Sequence, residues 1–206
     1  MKVKICGMTH PDDAEYAARL GADYIGIIFA DSSRRKVSLP VAKCIADVSR
    51  KAGAEPVGVF VDQTADQITS ICEQTGINTV QLHGATSQQA IHDILGHYSI
   101  IYAISVEKNG ITSQTQTLPI SVIPLYDNSN GGTGVPFDWM AFSPPKNTCW
   151  MLAGGLYADN VAKAIALLKP NGVDVATGVE FPNSTRKDPI LVKAFIRAAK
   201  NVKENT

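Results

Sequence analysis

The chain has 206 residues, enough for one large core without requiring a second. Its 19 Lys+Arg balance 19 Asp+Glu for a formal charge of zero, which argues against nucleic acid or an anionic membrane as partner. No run approaches the ~18 apolar residues of a membrane span, and the N-terminus enters a strand-like pattern without signal or transit features.

In chain order, Val3 to Cys6 alternate apolar and polar residues and read as a strand stopped by Gly7. Thr9-x-x-Asp12, with Pro11 in the first turn, caps a helix through about Leu20, which Gly21 closes. A second strand opens near Asp23. Ser38-Leu39-Pro40 starts a helix running from Ala42 to Lys51, and a third strand opens near Pro56. Thr64 leads a helix from Asp66 to Gln74, stopped by Gly76, and a strand opens near Thr79. Thr86-x-x-Gln89 caps a fourth helix that ends near Gly96, before a strand near Ile100. Glu107 to Pro119 is polar and poorly patterned. Strands follow near Ser121 and Cys149, with only the short helical stretch Asp138 to Phe142 between them. Ala158 to Leu168 is helical up to Pro170, the last strand opens near Gly172, and Pro189 to Val202 forms the final helix.

Eight strands alternating with helices predict parallel βαβ units, and eight is the number that closes a (β/α)8 barrel. An open doubly wound sheet is the structural rival, but no G-x-G-x-x-G follows the first strand. With no linker or low-complexity segment, residues 1–206 are expected to form a single barrel domain with a short frayed tail after Lys203. The four cysteines (Cys6, Cys44, Cys72, Cys149) include no C-x-x-C pair. Cys44 and Cys72 fall at apolar helix positions, so reduced core thiols and a cytoplasmic setting are expected.

Active sites of such barrels lie at the C-terminal ends of the strands. Those ends carry Cys6-Gly7; the run Ala30 to Lys36; Gln81-Leu82-His83-Gly84; Tyr126-Asp127 followed by Gly131 to Gly134; Ala153-Gly154-Gly155; and Ala176-Thr177-Gly178. Glycines after strands seven and eight let backbone N–H groups approach a phosphate, the usual phosphate site of this fold. Cys6 on its own fits a core thiol, since free cysteine is among the most buried residue types. A nearby lysine would lower its pKa and favour a basic thiolate. Asp127 on its own fits a turn aspartate before Asn-Ser-Asn-Gly. Lys4 and Asp174 both face inward by alternation, and strands one and eight are neighbours in a closed barrel, so a buried ion pair is expected. Gln81 also points inward, as a satisfied core amide or a substrate contact. His83 is at most an orienting group. His83, His92 and His97 lack metal-ligand spacing on one helix face, so no metal is expected.

Taken together these segments resemble the phosphoribosylanthranilate isomerase family. The resemblance spans nearly the whole chain: KICGMT (4–9), GADYIGIIF (21–29), SRRKVS (33–38), VGVFV (57–61), VQLHG (80–84), Asp127 with GGTG (131–134) and FDW (137–139), LAGGL (152–156) and VDVATGVE (173–180). It implies a (β/α)8 barrel without metal or organic cofactor, acting on a small phosphosugar as monomer or homodimer. The implied reaction is the Amadori rearrangement of N-(5-phosphoribosyl)anthranilate to 1-(2-carboxyphenylamino)-1-deoxyribulose 5-phosphate, a step of tryptophan biosynthesis. By the same resemblance Cys6 is the base, Asp127 the acid and Arg35 the carboxylate ligand, while Gly154, Gly155, Thr177 and Gly178 hold the phosphate. Lys4, Gln81, His83 and Asp174 are supporting residues. The sequence departs from the family pattern in three places. Asn128 to Asn130 form a short loop, strand eight ends Ala-Thr-Gly instead of Ser-Ser-Gly, and Arg34 adjoins Arg35 where one arginine is typical. The rival activities are another phosphate-binding barrel enzyme, such as an epimerase or indole-glycerol-phosphate synthase, and a non-catalytic phosphosugar-binding barrel. The first would show metal ligands or strand-end lysines and glutamates. The second has no need to keep Cys6 and Asp127.

Overall fold

The structure is a computed structural model that describes residues 1–112, 117–128, 136–146 and 148–202. Eight parallel strands close into a barrel in sequence order: β1 Lys2–Ile5, β2 Tyr24–Ile28, β3 Glu55–Phe60, β4 Thr79–Leu82, β5 Ser99–Val106, β6 Ile123–Asn128, β7 Met151–Leu152 and β8 Gly172–Val175. The helices are α1 Pro11–Arg19, α2 Leu39–Lys51, α3 Ala65–Thr75, α4 Ala85–Gln89, α5 Ile91–Ile94, α6 Ala158–Leu168 and α7 Pro189–Lys200. The expected (β/α)8 architecture is therefore present. The glycines Gly131 to Gly134, most of the short loop from Asn128 to Asn130 and the tail after Lys203 lie outside the described residues.

Alternation along the strands creates two separate apolar layers. Val57, Ile101, Ala103, Leu125, Met151 and Ala153 fill the barrel interior with Tyr24 and Ile123 packed against them. The opposite strand faces, among them Val3, Ile5, Ile25, Ile27, Val80, Leu82 and Val173, pack against the helices. α3 carries the expected cap: Thr64 accepts from the Gln67 N–H while the Gln67 side chain accepts from the Thr64 N–H.

Several local expectations are corrected. His10, not Thr9, caps α1, because Pro11 pins the residue before it in an extended conformation. The stretch from Thr86 does not begin a helix. Gly84 is the cap, and the Ser87 hydroxyl ties the Gly84 N–H to the Phe60 carbonyl, so the turn starts earlier and splits into α4 and α5. α7 ends at Lys200, short of Val202. Cys44 is exposed, unlike buried Cys72, because α2 buries Ala42, Ile45, Ala46 and Ser49 and leaves position 44 off that face. Among the described residues no helix follows β5 or β6. Asp138–Phe142 is a turn instead; Phe142 and Trp150 pack against Tyr126 at centroid distances of 5.1 and 5.6 Å, and Phe137 packs edge-on to Phe142 at 5.3 Å, covering the outside of β6 as a helix would elsewhere.

Candidate active site

The strand ends of β1, β2, β4, β6, β7 and β8 converge on one mouth of the barrel. Cys6 follows β1 directly, and its N–H donates to the Val175 carbonyl of β8 at 2.8 Å. Its thiol packs against β2 at Gly26, where a side chain would place a Cβ 2.7 Å from Sγ. Gly26 is thus what makes room for the thiol, and the sequence reading attached no importance to it.

Lys4 and Asp174 meet as expected. They are register partners across the β1–β8 seam, with Nζ donating to Oδ1 at 3.0 Å and side chains 0% and 9% exposed. Burial pushes the Lys4 pKa down, but Asp174 and the neighbouring Cys6 outweigh it and the net direction is up. For Cys6 the balance runs the other way. Burial raises the thiol pKa, and the opposing influence of Lys4, with a smaller one from Lys187, does not offset it. The sequence reading considered only the lysine; desolvation is the larger effect.

Asp127 lies near the end of β6, its backbone in register with Ser105 of β5. Burial raises its carboxyl pKa, followed in size by the opposing influence of His83 and the reinforcing one of Asp174. His83 Nε2 stands 3.7 Å from Asp127 Oδ2, and its Nδ1 lies 2.9 Å from Gln81 Nε2. Gln81 is buried, and its Oε1 has no hydrogen-bond partner among the described residues. Gly154 packs on Asp127 with φ +85°, in the left-handed region that glycine tolerates, and a Cβ there would meet the Asn128 nitrogen at 2.7 Å.

Asp127 shares a cleft with Gly154, Gly155, Thr177 and Gly178, the loops after β7 and β8. Thr177 opens a 3-10 turn, Thr177–Val179, so backbone N–H groups cluster at that side of the cleft.

The arginine side of the mouth is organised by a residue the sequence reading assigned no role, Glu180. It is 7% exposed and accepts hydrogen bonds from three cations. Arg35 Nε donates to Oε1 at 2.6 Å and Nη2 to Oε2 at 2.9 Å; Arg34 Nη2 donates to Oε2 at 2.6 Å; Lys187 Nζ donates to Oε1 at 2.9 Å. Lys187 is 2% exposed and also donates to the Ala176 carbonyl at 3.1 Å. The loop after β8 brings it there by folding back, with Glu180 and Lys187 paired antiparallel. The two adjacent arginines separate clearly: the Arg35 side chain is 12% exposed and Arg34 52%. The Arg35 stem crosses Gly7 beside the thiol, and any Cβ on Gly7 would lie 2.4 Å from Arg35 Cδ. The VDVATGVE segment contains Glu180, so its place in that motif was the available signal. The Lys187 loop carries none.

A closed parallel barrel whose strand ends gather a thiol, a carboxyl, an arginine and two glycine-rich turns has the layout of a phosphate-handling barrel enzyme. The family profile of N-(5'phosphoribosyl)anthranilate (PRA) isomerase matches residues 3–198. The N-(5'-phosphoribosyl)anthranilate isomerase of Chlamydia caviae is 66% identical over 200 residues, 97% of each chain. The crystal structure of phosphoribosyl anthranilate isomerase from Thermotoga maritima superposes with a TM-score of 0.80 at 32% identity, covering 97% of this chain and 98% of that one. A structure of the isomerase in complex with reduced 1-(o-carboxyphenylamino)-1-deoxyribulose 5-phosphate gives 0.76 at 30% identity, with the same coverage. The chain belongs to the phosphoribosylanthranilate isomerase family and is an isomerase of tryptophan biosynthesis.

Proposed function

We propose that the chain opens and rearranges N-(5-phosphoribosyl)anthranilate with Asp127 as general acid and Cys6 as general base. The observation that carries this assignment is a buried thiol and a half-buried carboxyl at one barrel mouth, the carboxyl lining a glycine-rich cleft suited to a phosphate. Asp127 donates a proton to the furanose ring oxygen, and the C1–O bond breaks to leave an imine. The Cys6 thiolate removes the C2 proton of the protonated imine, and the resulting enolamine gains a proton at C1 and loses its C2 hydroxyl proton to give the ketone. Burial favours the acid because it raises the Asp127 carboxyl pKa. It opposes the base, and Lys4 and Lys187 are the groups that favour the thiolate. Arg35 takes the anthranilate carboxylate, and the N–H groups around Gly154, Gly155, Thr177 and Gly178 take the phosphate. Lys4 and Asp174 hold the seam under Cys6, while Gln81 and His83 orient Asp127. In this reading residues 1–206 work as one domain, as monomer or homodimer, in the cytoplasm. Among the described residues no helix is long and apolar enough to cross a membrane.

The test is direct. The fluorescence of phosphoribosylanthranilate should fall on adding the purified chain, with inorganic phosphate as a competitive inhibitor. A chain that leaves the fluorescence unchanged while binding phosphate would favour a phosphosugar-binding barrel instead.

A further inference from the structure

A guanidinium has five N–H donors, and Arg35 has committed three of them. Nε and one Nη2 hydrogen go to the two oxygens of Glu180, and the other Nη2 hydrogen goes to Thr177 Oγ1 at 2.9 Å. Among the described residues nothing accepts from Nη1. A substrate carboxylate gripping Arg35 through Nη1 and Nη2 would have to displace the Thr177 hydroxyl, and one gripping it through Nε and Nη2 would have to displace Glu180. Displacing Glu180 would leave Lys187 buried without its counter-charge, a costly exchange. Thr177 has a second position of interest: it opens the turn that lines the cleft with Gly178. One four-residue stretch, Thr177 to Glu180, therefore anchors the arginine at both its ends and faces the proposed phosphate in between.

We propose that Thr177 and Glu180 are positioning residues of substrate recognition. They fix the Arg35 guanidinium so that Nη1 alone meets the carboxylate, and the Thr177 hydroxyl ties that contact to the phosphate turn. The two anionic ends of the substrate are then read by one rigid segment, which discriminates against phosphosugars lacking a carboxylate at the right distance. This rests on the reading of Arg35 and of the phosphate turn given above.

The test removes the hydroxyl and nothing else. Thr177→Val keeps the backbone N–H groups and the side-chain volume. It is expected to raise KM for phosphoribosylanthranilate about tenfold, the size of one lost hydrogen bond to a charged group. The inhibition constant of inorganic phosphate should stay within about twofold, and Thr177→Ser should recover most of the lost affinity. In an Arg35→Ala background the same loss of hydroxyl should add less than about twofold, because its partner is already gone. Thr177→Ala serves equally if valine is not accommodated. A parallel rise in KM and in the phosphate inhibition constant would overturn the proposal, since the hydroxyl would then serve the phosphate itself. A full tenfold effect persisting without Arg35 would also overturn it. If Arg35→Ala left KM unchanged, the carboxylate reading would fail and this proposal with it. If Arg35→Ala raised KM and Thr177→Val did not, the proposal alone would fail.

Discussion

Lys4 and Lys187 are both buried, both pair with a buried carboxylate, and both act on Cys6, yet their pKa values move in opposite directions. Burial lowers each. Lys4 recovers because, among the described residues, Asp174 makes its only ion pair with Lys4 and Cys6 adds to the pull, so its pKa ends above the ordinary lysine value. Lys187 does not recover because Glu180 is divided among Lys187, Arg34 and Arg35, and Arg35 itself repels it. Geometry does not distinguish them, with Nζ–carboxylate distances of 3.0 and 2.9 Å. What differs is how many cations one carboxylate must serve. The first pair is matched one to one; the second leaves positive charge in excess beside Arg35, the proposed carboxylate ligand.

The largest effect expected concerns the group between the two lysines. Cys6→Ser should lower kcat by ~10² to 10⁴ with little change in KM, because a serine hydroxyl is not a base near neutral pH. Asp127→Asn should likewise abolish turnover while keeping binding, checked by steady-state kinetics beside titration with a product analogue. A Cys6→Ser enzyme within a few-fold of the parent would return the thiol to the core and remove the meaning of the contrast.

Next in size is the seam. Lys4→Met strands the buried Asp174 carboxylate and should cost about 3 to 5 kcal/mol in urea unfolding. Lys187→Met should cost less, about 1 to 3 kcal/mol, because two arginines still satisfy Glu180. If the Lys187 variant lost more than the Lys4 variant, the division of Glu180 would not be the controlling fact.

Their opposite pKa directions sharpen this further. A lysine whose folded pKa is raised contributes stability that is present below the unfolded value of 10.5 and lost as pH climbs through the folded value. One whose folded pKa is lowered does the reverse: below 10.5 the unfolded state binds more protons, and stability grows with pH. Comparing unfolding free energies of the parent with each Met variant between pH 8 and 11 should therefore show the Lys187 contribution rising and the Lys4 contribution falling. Contributions of the same sign would contradict the assignment.

Binding separates the arginines, and the smallest effect of all is expected at Arg34. Arg35→Ala should weaken binding of a carboxylated product analogue by roughly 2 to 4 kcal/mol. Arg34→Ala, half exposed and on the outer side of Glu180, should change it by about 1 kcal/mol or less. Calorimetric titration of both variants gives the comparison in one experiment.

The contrast between the lysines also marks the limit of what sequence makes legible. The Lys4–Asp174 pair could be anticipated, because strand alternation and closure of eight strands dictate that both residues face inward as neighbours. The Glu180 cluster could not, because it joins the loop after β2 to a loop that doubles back after β8, and no periodicity governs loop packing. The same division holds for the fold. Strands carry a two-residue period and all eight were readable. The covering of β6 was not, since an aromatic cluster can replace a helix without leaving a helical pattern. Cys44 was misplaced because a helix position of mixed surroundings carries no exposure signal of its own. The directions of the lysine and thiol pKa values depend on counting partners in space, which a sequence does not list.

The seam between β1 and β8 has a consequence in time as well as in space. Lys4 and Asp174 are separated by 170 positions along the chain, and Lys187 lies further still. At ribosomal rates of about 5 to 20 residues per second, the first strand waits roughly ten to thirty seconds for its neighbour. Through that interval the edge of β1 has no β8 to pair with, and the Cys6 thiol lacks both its cover and its second cation. With Cys6 as the proposed base, turnover begins only when β1 and β8 have met. Isomerase activity in a translation or refolding reaction reports closure of the ring, a far stricter event than the appearance of helices or strands.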